Sequence, residues 1–343
     1  MACQSHVQRL GTRVASYPAP AVNESYRAPW WLPGGHAETI FPLTRKGALP
    51  HYRRQRLETP DGDFVDIDWL AAPGDAGAPL VVLFHGLEGS SGSHYARSLM
   101  RAVAARGWNG AVVHFRGCSG SPNRLPRAYH SGDSDEIDWL LAWFRRTSGD
   151  SRLFAIGVSL GGNALLKWLG EREAEARHRL AAAAAVCPPL DLTLSGLNLG
   201  RGLNRIYTRH FLQTLIPKAL DKTRRFPGHF DRERIRRARS LQDFDDAYTA
   251  PAHGFADVFD YWRRASSKPW LGGIRVPTLL LNAANDPFVP SAALPAVGEL
   301  GQGLHFECPS RGGHVGFLSG NWPGSLDWLP MRLLAHFDAH TEA

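Results

Sequence analysis

The stretch Ile156-Gly157-Val158-Ser159-Leu160-Gly161-Gly162 holds a serine between glycines in the pattern G-x-S-x-G. A serine hydroxyl is a weak nucleophile until a neighbouring base takes its proton. The pattern is short, so its meaning depends on context: a strand before it, a helix after it, and an acid and a histidine later in the chain. Residues 153–158 read as a buried strand. Residues 160–169 read as an amphipathic helix, with Ala164, Leu165 and Trp168 at helical spacing. Ser159 then sits at a strand-to-helix corner. Gly157 and Gly161 suit a corner too tight for side chains. The free N–H groups at the start of the helix favour negative charge beside the serine.

The candidate base is His314, in Arg311-Gly312-Gly313-His314-Val315-Gly316-Phe317, after the last expected strand. The orienting acid should lie between serine and histidine in the chain. Asp286, in Asn285-Asp286-Pro287-Phe288, follows the strand expected at 278–282 and fits that place. It would fix the tautomer of His314 and stabilise the imidazolium. An oxyanion hole needs two backbone donors. Leu160 N–H is the first. Leu87 N–H, in His85-Gly86-Leu87-Glu88-Gly89 directly after the first buried strand, is the second. Arg116 is read as pairing with an acid and shaping its turn. Cys118 lacks a base at motif spacing. His36 and His130 are assigned to loop structure.

These residues must be held by a scaffold. Short apolar runs at 80–84, 110–115, 153–158, 181–187, 278–282 and 304–307 read as strands covered on both faces. Helical segments at 94–106, 134–146, 160–176 and 292–300 lie between them. This alternation predicts an α/β fold: a mainly parallel sheet with helices on both faces. Upstream, Pro60-Asp61-Gly62-Asp63 marks a turn. Val65, Ile67 and Trp69 then alternate with Asp66 and Asp68, which predicts a half-buried strand in an antiparallel hairpin at the sheet edge. Residues 1–50 are expected to form an irregular arm packed on the core, its first dozen residues mobile. The core takes 51–190 and 269–343. Between them, 191–268 has no buried-strand run and turns helical, basic and aromatic. It is read as a helical cap insertion, with most aromatics serving its own packing.

The chain has 343 residues, is 43% hydrophobic and 21% charged, and carries a formal charge of +7. That composition suits a globular protein with a sizeable core. The N-terminus lacks a signal-peptide h-region, and no apolar run reaches the roughly 18 residues of a membrane span. Cys3, Cys118, Cys187 and Cys308 are scattered without C-x-x-C spacing, which fits a reducing cytoplasm and neither a disulfide framework nor a zinc site. The densest basic run, Arg232 to Arg239, is short and mixed with acid. It reads as a solvated helix and not as a nucleic-acid arm, and leaves peripheral contact with an anionic membrane surface open. Oligomeric state is not legible.

Several segments together resemble the α/β-hydrolase superfamily, and within it the YheT-like hydrolases. Their eukaryotic relatives include the abhydrolase-domain lipases and the yeast medium-chain ethyl-ester synthase/esterases. The segments are Gly34-Gly35-His36-Ala37-Glu38-Thr39, His85-Gly86-Leu87-Glu88-Gly89, His114-Phe115-Arg116-Gly117-Cys118-Ser119-Gly120, Tyr129-His130-Ser131-Gly132-Asp133, Gly157 to Asn163, Asn285 to Phe288 and Gly312 to Phe317. The resemblance spans roughly residues 30 to 337. The arm departs from it, with His36-Ala37-Glu38-Thr39 where the family often has His-x-Gln-Thr, so the arm is given no role. The resemblance implies hydrolysis of a small-molecule carboxylic ester, often of short or medium acyl chain, with no cofactor and no metal. The absence of H-E-x-x-H agrees on the metal. Two other readings stay open: an acyltransferase that passes the acyl group to an alcohol, and a non-catalytic binding protein on the same fold.

Overall fold

The computed structural model describes residues 25–45, 47–71 and 77–341. The expected mobility of the first dozen residues lies outside them. The arm is not irregular throughout. It forms a short helix, α1 (Gly35–Ile40), which runs into a 3-10 turn at Phe41–Thr44. The helical register turns Glu38 and Thr39 inward, where both are buried.

The expected hairpin follows. Strands β1 (Tyr52–Glu58) and β2 (Phe64–Leu70) pair antiparallel, with Gly62 at φ 82 in the turn between them. The half-burial expected of β2 is wrong. Asp66 and Asp68 are as buried as Val65 and Ile67. Their face is roofed by arginines from β1. Arg54 donates to Asp68 from Nε and Nη2 at 2.7 and 2.9 Å, and Arg56 donates to Asp66 in the same two-pronged way. Buried carboxylates persist where donors replace water.

Next come β3 (Leu80–Phe84), α2 (His94–Ala105), β4 (Asn109–His114), α3 (Ser134–Thr147), β5 (Leu153–Val158), α4 (Leu160–Arg172) and β6 (Ala182–Val186). The helix expected to reach residue 176 stops at Arg172. Glu173 there takes a left-handed φ of 46 and the chain continues as a 3-10 turn.

Helices alone fill the long connection after β6. They are α5 (Leu192–Leu199), α6 (Arg205–Arg225), α7 (Arg232–Arg237) and α8 (Leu241–Phe244), then a π-helical turn at Asp245–Thr249, α9 (Ala250–Ala252) and α10 (Val258–Ala265). Side chains of Asp191, Asp231, Ser240 and Asp257 accept backbone N–H groups at the starts of α5, α7, α8 and α10. Such caps fix where each short helix begins. Leu212, Leu215, Ile235, Phe244 and Tyr248 form a core local to this segment.

The chain closes with β7 (Thr278–Leu281), β8 (Leu304–Glu307) and α11 (Trp328–Asp338). The helix expected at 292–300 is absent. Two 3-10 turns replace it, Ser291–Ala293 and Val297–Glu299. Pro295 and Gly298 interrupt the apolar pattern on which that expectation rested.

The eight strands form one sheet in the order β1-β2-β4-β3-β5-β6-β7-β8. Strands β3 to β8 run parallel, while β2 meets β4 antiparallel. Alternate residues of β3 feed opposite layers. Val82 and Phe84 pack with Leu140 of α3 and Trp168 of α4; Val81 and Leu83 pack with Met100 of α2 and Phe337 of α11. The sheet is therefore buried on both faces. Loops after β3, β5, β7 and β8 emerge at its carboxyl end, where open α/β sheets place ligands.

Candidate active site

Ser159 links β5 to α4 with φ 51 and ψ −117, a left-handed conformation strained for a side-chain-bearing residue. The surroundings enforce it. Ser159 N–H donates to Val186 O of β6 at 2.8 Å. A Cβ on Gly157 would lie 2.5 Å from Gly161 O, and one on Gly161 would lie 2.5 Å from Phe84 O. Strand, helix and neighbouring strand approach so closely that only glycine fits on either side of the serine. The first turn of α4 leaves its N–H groups without partners inside the helix.

The side chain of His314 reaches Ser159 from the loop after β8. Its Nε2 lies 2.9 Å from Ser159 Oγ, and its Nδ1 lies 2.8 Å from Asp286 Oδ2. The other oxygen of Asp286 accepts Phe288 N–H at 2.7 Å. An ionised carboxylate only accepts, so Nδ1 carries a proton and Nε2 presents a lone pair to the serine hydroxyl. Phe288 stacks on the imidazole with ring centres 4.0 Å apart, which holds its plane. The structure thus brings Ser159, His314 and Asp286 together in one line of contacts.

Two further residues fix this arrangement, and sequence reasoning missed both. Glu38 of α1 accepts from Arg311 Nε at 2.6 Å, Gly312 N at 2.9 Å and Asn285 Nδ2 at 2.7 Å. Thr39 Oγ1 accepts His314 N–H at 2.9 Å. The arm therefore ties the acid-bearing loop to the histidine-bearing loop. A Cβ on Gly316 would fall 1.9 Å from Glu38 O, and one on Gly35 would fall 2.0 Å from Asn285 O. The signal was the segment Gly34 to Thr39 among the resembling motifs, whose partners lie more than 240 residues away.

The turn after β3 lies against the serine. Gly86 N–H donates to Tyr95 Oη and Glu88 N–H to Tyr129 Oη, both at 2.9 Å. Gly89 N–H donates to Gly86 O. Among the described residues, this leaves Leu87 N–H as the donor of the turn without a protein partner. His85 is fully enclosed, and burial lowers its pKa to about 3, so it is neutral. Its Nε2 accepts Phe115 N–H at 3.2 Å, which makes Nδ1 the donor to Gly86 O at 2.7 Å. His85 is a strut for the turn. Leu87, Ser159, Leu160 and His314 all line one cavity.

Residues 79–320 match the family model of the alpha/beta hydrolase fold. The chain belongs to the α/β-hydrolase family. It is 38% identical over 314 residues to the Escherichia coli (strain K12) protein named "Putative esterase YheT", covering 90% of this chain and 91% of that one. It is 28% identical to human "Phospholipase ABHD3" over 90% of this chain and 78% of the relative. Among solved structures, the Pyrococcus furiosus esterase Pf2001 superposes with a TM-score of 0.54 at 14% identity, covering 85% of this chain and 93% of the esterase chain. That likeness concerns the fold.

In this α/β-hydrolase family member the cavity has a volume of about 850 Å³. Its floor is the carboxyl end of the sheet, and α5, α6 and the segment around α8 supply the opposite wall, with Leu192, Leu199, Phe211, Leu215 and Phe244 in the lining. A space of this size and apolar character suits an acyl chain. Among the described residues no helix is long and apolar enough to cross a membrane.

His36, expected in a loop, lies instead within the helix α1, whose six residues hid it from the sequence pattern. Arg116 donates to Glu136 Oε2 at 2.5 Å and to Asp61 Oδ2 at 2.8 Å. Burial pushes the Cys118 thiol up to about 12, unsuited to a nucleophile. His130 is enclosed, and burial lowers its pKa to about 3; Gly132 N–H donates to its Nδ1. His36 stacks on Tyr207 of α6, with Nδ1 3.0 Å from Oη, joining the arm to the helical segment. Donor atoms of Cys187, Asp286 and His314 lie within 4.8 Å of one another. Burial, with Asp286 beside it, holds the Cys187 thiol well above its ordinary value, and Sγ accepts Val315 N–H. Asp286 and His314 already spend their facing atoms on each other. A metal ion there would need the thiolate and would break the contact that orients His314.

Proposed function

We propose that the protein is a serine esterase that cleaves small-molecule carboxylic esters of short to medium acyl chain. The observation that carries this reading is the continuous path of hydrogen-bond contacts from Ser159 Oγ through His314 to Asp286, at 2.9 and 2.8 Å. His314 Nε2 takes the hydroxyl proton as Ser159 Oγ bonds to the ester carbonyl carbon. The carbonyl oxygen becomes an oxyanion and is held by Leu87 and Leu160 N–H. Collapse breaks the carbon–oxygen bond, and His314 returns the proton to the departing alcohol. A water then gives its proton to His314 and attacks the acyl-enzyme. The second collapse frees the acid and restores the serine hydroxyl. Asp286 stays ionised and stabilises the imidazolium throughout.

The helical segment 191–268 serves as the cap and sets chain length. A hydrophobic pocket discriminates by only about 1–3 kcal/mol per methylene, so graded preference is expected over a sharp cut-off. The exposed arginines of α7 give a surface for peripheral contact with an anionic membrane. Vesicle flotation across a salt series tests that contact. The free thiols of Cys118, Cys187 and Cys308 are compatible with a reducing cytoplasm.

The test of the function is hydrolysis of p-nitrophenyl esters from acetate to palmitate by the wild type and Ser159→Ala. Activity on part of the series, falling by roughly three to six orders of magnitude in the variant, is expected. A clean Ser159→Ala preparation that keeps its activity overturns the assignment.

A further inference from the structure

Three carboxylates line the cavity beside Ser159: Glu88, Asp221 and Asp245. Asp245 accepts Thr249 Oγ1 at 2.7 Å and Trp262 Nε1 at 2.9 Å, and Asp221 accepts Arg224 Nη2 of its own helix at 2.9 Å. Glu88 is different, because it follows Leu87 in the turn after β3. Its φ of 56 is left-handed, which is unfavourable for a residue with a side chain. One hydroxyl holds it there. Tyr129 Oη accepts Glu88 N–H and donates to Glu88 Oε1, each at 2.9 Å. Backbone and side chain of one residue thus close a ring through a single tyrosine.

Tyr129 is itself fixed. Its ring stacks on Phe115 with centres 5.4 Å apart and planes 7° apart. Burial holds its hydroxyl well above the usual tyrosine range, so Oη keeps the proton it donates. A third group arrives from the helical segment. Lys218 of α6 donates from Nζ to Glu88 Oε1 at 2.9 Å and lies 2.7 Å from Oε2. The Glu88 side chain is 10% exposed and that of Lys218 46%, so water screens this ion pair in part. The backbone on both sides of Leu87 N–H is therefore pinned by tyrosine hydroxyls, Gly86 N–H by Tyr95 and Glu88 N–H by Tyr129. Leu87, Glu88, Tyr129 and Lys218 all line the cavity.

We propose that Tyr129, Glu88 and Lys218 are positioning residues for the oxyanion donor on Leu87, and that through Lys218 the placement of α6 reaches that donor. The proposal rests on the esterase reading, in which Leu87 N–H holds the oxyanion. The three act through the turn: a donor stabilises the oxyanion only when it is held within hydrogen-bond distance of where that charge develops.

The test begins with Tyr129→Phe, which keeps the stacked ring and removes the hydroxyl. On p-nitrophenyl butyrate, kcat should fall at least about tenfold, short of the roughly 10²–10³-fold cost of a donor removed outright, with KM within about twofold. A trifluoromethyl ketone, whose adduct with Ser159 carries an oxyanion, should lose affinity by the factor lost in kcat/KM, while inhibition by butyrate changes less than about twofold. Lys218→Gln should lower kcat about threefold, Lys218→Arg should restore it, and Lys218→Gln should have no further effect once Tyr129 is Phe. Unchanged kcat in Tyr129→Phe, equal losses of ketone and butyrate affinity, or Tyr129 and Lys218 effects that multiply would each overturn the proposal. Amide hydrogen exchange over residues 85–90 gives a readout without turnover and should be faster in Tyr129→Phe; unchanged exchange overturns the clamp. If the wild type hydrolyses no ester, the esterase reading fails, and the exchange comparison alone decides whether the clamp holds the turn.

Discussion

Ser159 Oγ and His314 Nε2 stand 2.9 Å apart, although 155 residues separate them in the chain. In the proposed mechanism that contact depends on the proton on the other side of the ring. Asp286 gives Oδ1 to Phe288 N–H and Oδ2 to His314 Nδ1. In Asp286→Asn the carbonyl oxygen stays on Phe288 N–H, so the amide NH₂ faces Nδ1. The imidazole proton moves to Nε2, which then points a donor at the serine hydroxyl. Ester turnover should fall by about four orders of magnitude, with KM little changed and the far-ultraviolet dichroism intact. A loss below tenfold contradicts the proposed roles of both residues.

The arm is expected to matter more than its terminal position suggests. Glu38 is 2% exposed and gathers three donors from two loops. In Glu38→Ala, Arg311 loses its carboxylate and Gly312 N–H is left buried without an acceptor. Because the Arg311 side chain is about one-third exposed, water repays part of the loss. A destabilisation of about 2–3 kcal/mol is expected in urea unfolding, with kcat reduced because the Asp286 and His314 loops are no longer tied. Thr39→Val removes the acceptor for His314 N–H and the hydroxyl's own bond to Gly35 O within α1. It should cost about 1 kcal/mol and lower kcat more than it raises KM.

The contrast between these two sites explains what could be read from the sequence. The serine corner was legible because its constraints are local: Gly157, Ser159 and Gly161 lie within five residues, between a continuous apolar run and a helical pattern. Chain order then pointed to Asp286 and His314. The strands of the parallel sheet were legible because burial on both faces leaves an uninterrupted apolar run. Asp66 and Asp68 misled because alternation reports side-chain polarity, and their partners Arg54 and Arg56 sit on the adjacent strand in register with them. The helix of the arm was hidden for a related reason: it is six residues long and is held by groups beyond residue 284. Residues 292–300 failed as a helix because Pro295 and Gly298 outweigh an alanine-rich pattern.

The elbow predicts its own fragility. A Cβ at Gly161 would stand 2.5 Å from Phe84 O and 2.6 Å from His85 O. Both atoms belong to backbone at the end of β3, which cannot rotate aside. Gly161→Ala must push α4 away from the sheet or pull β3 out of register. A loss of about 3 kcal/mol or more is expected, together with esterase activity, as read by thermal unfolding and by labelling of Ser159 with a fluorophosphonate. Normal labelling in a stable Gly161→Ala protein would show that the corner relaxes more easily than its contacts imply.

The Asp245 carboxylate makes a prediction in the opposite direction, a substitution that stabilises. Burial raises its pKa from 3.8 to about 6, against the smaller lowering effects of Thr249 and Trp262. The folded chain therefore holds this proton more tightly than the unfolded chain. Between these two values unfolding releases a proton, so the contribution of Asp245 to stability declines as pH rises from 3.8 through 6. Above that range the cost is fully present. Asparagine preserves an acceptor for the indole N–H, and the Thr249 hydroxyl can turn to accept from the new amide. Asp245→Asn should thus be more stable than the wild type by about 2 kcal/mol at pH 8, and the difference should shrink to near zero at pH 3.5. Urea unfolding at the two pH values measures it. A difference of the same size at both would mean that the carboxylate charge carries no penalty in the cavity, and the gain would then come from packing.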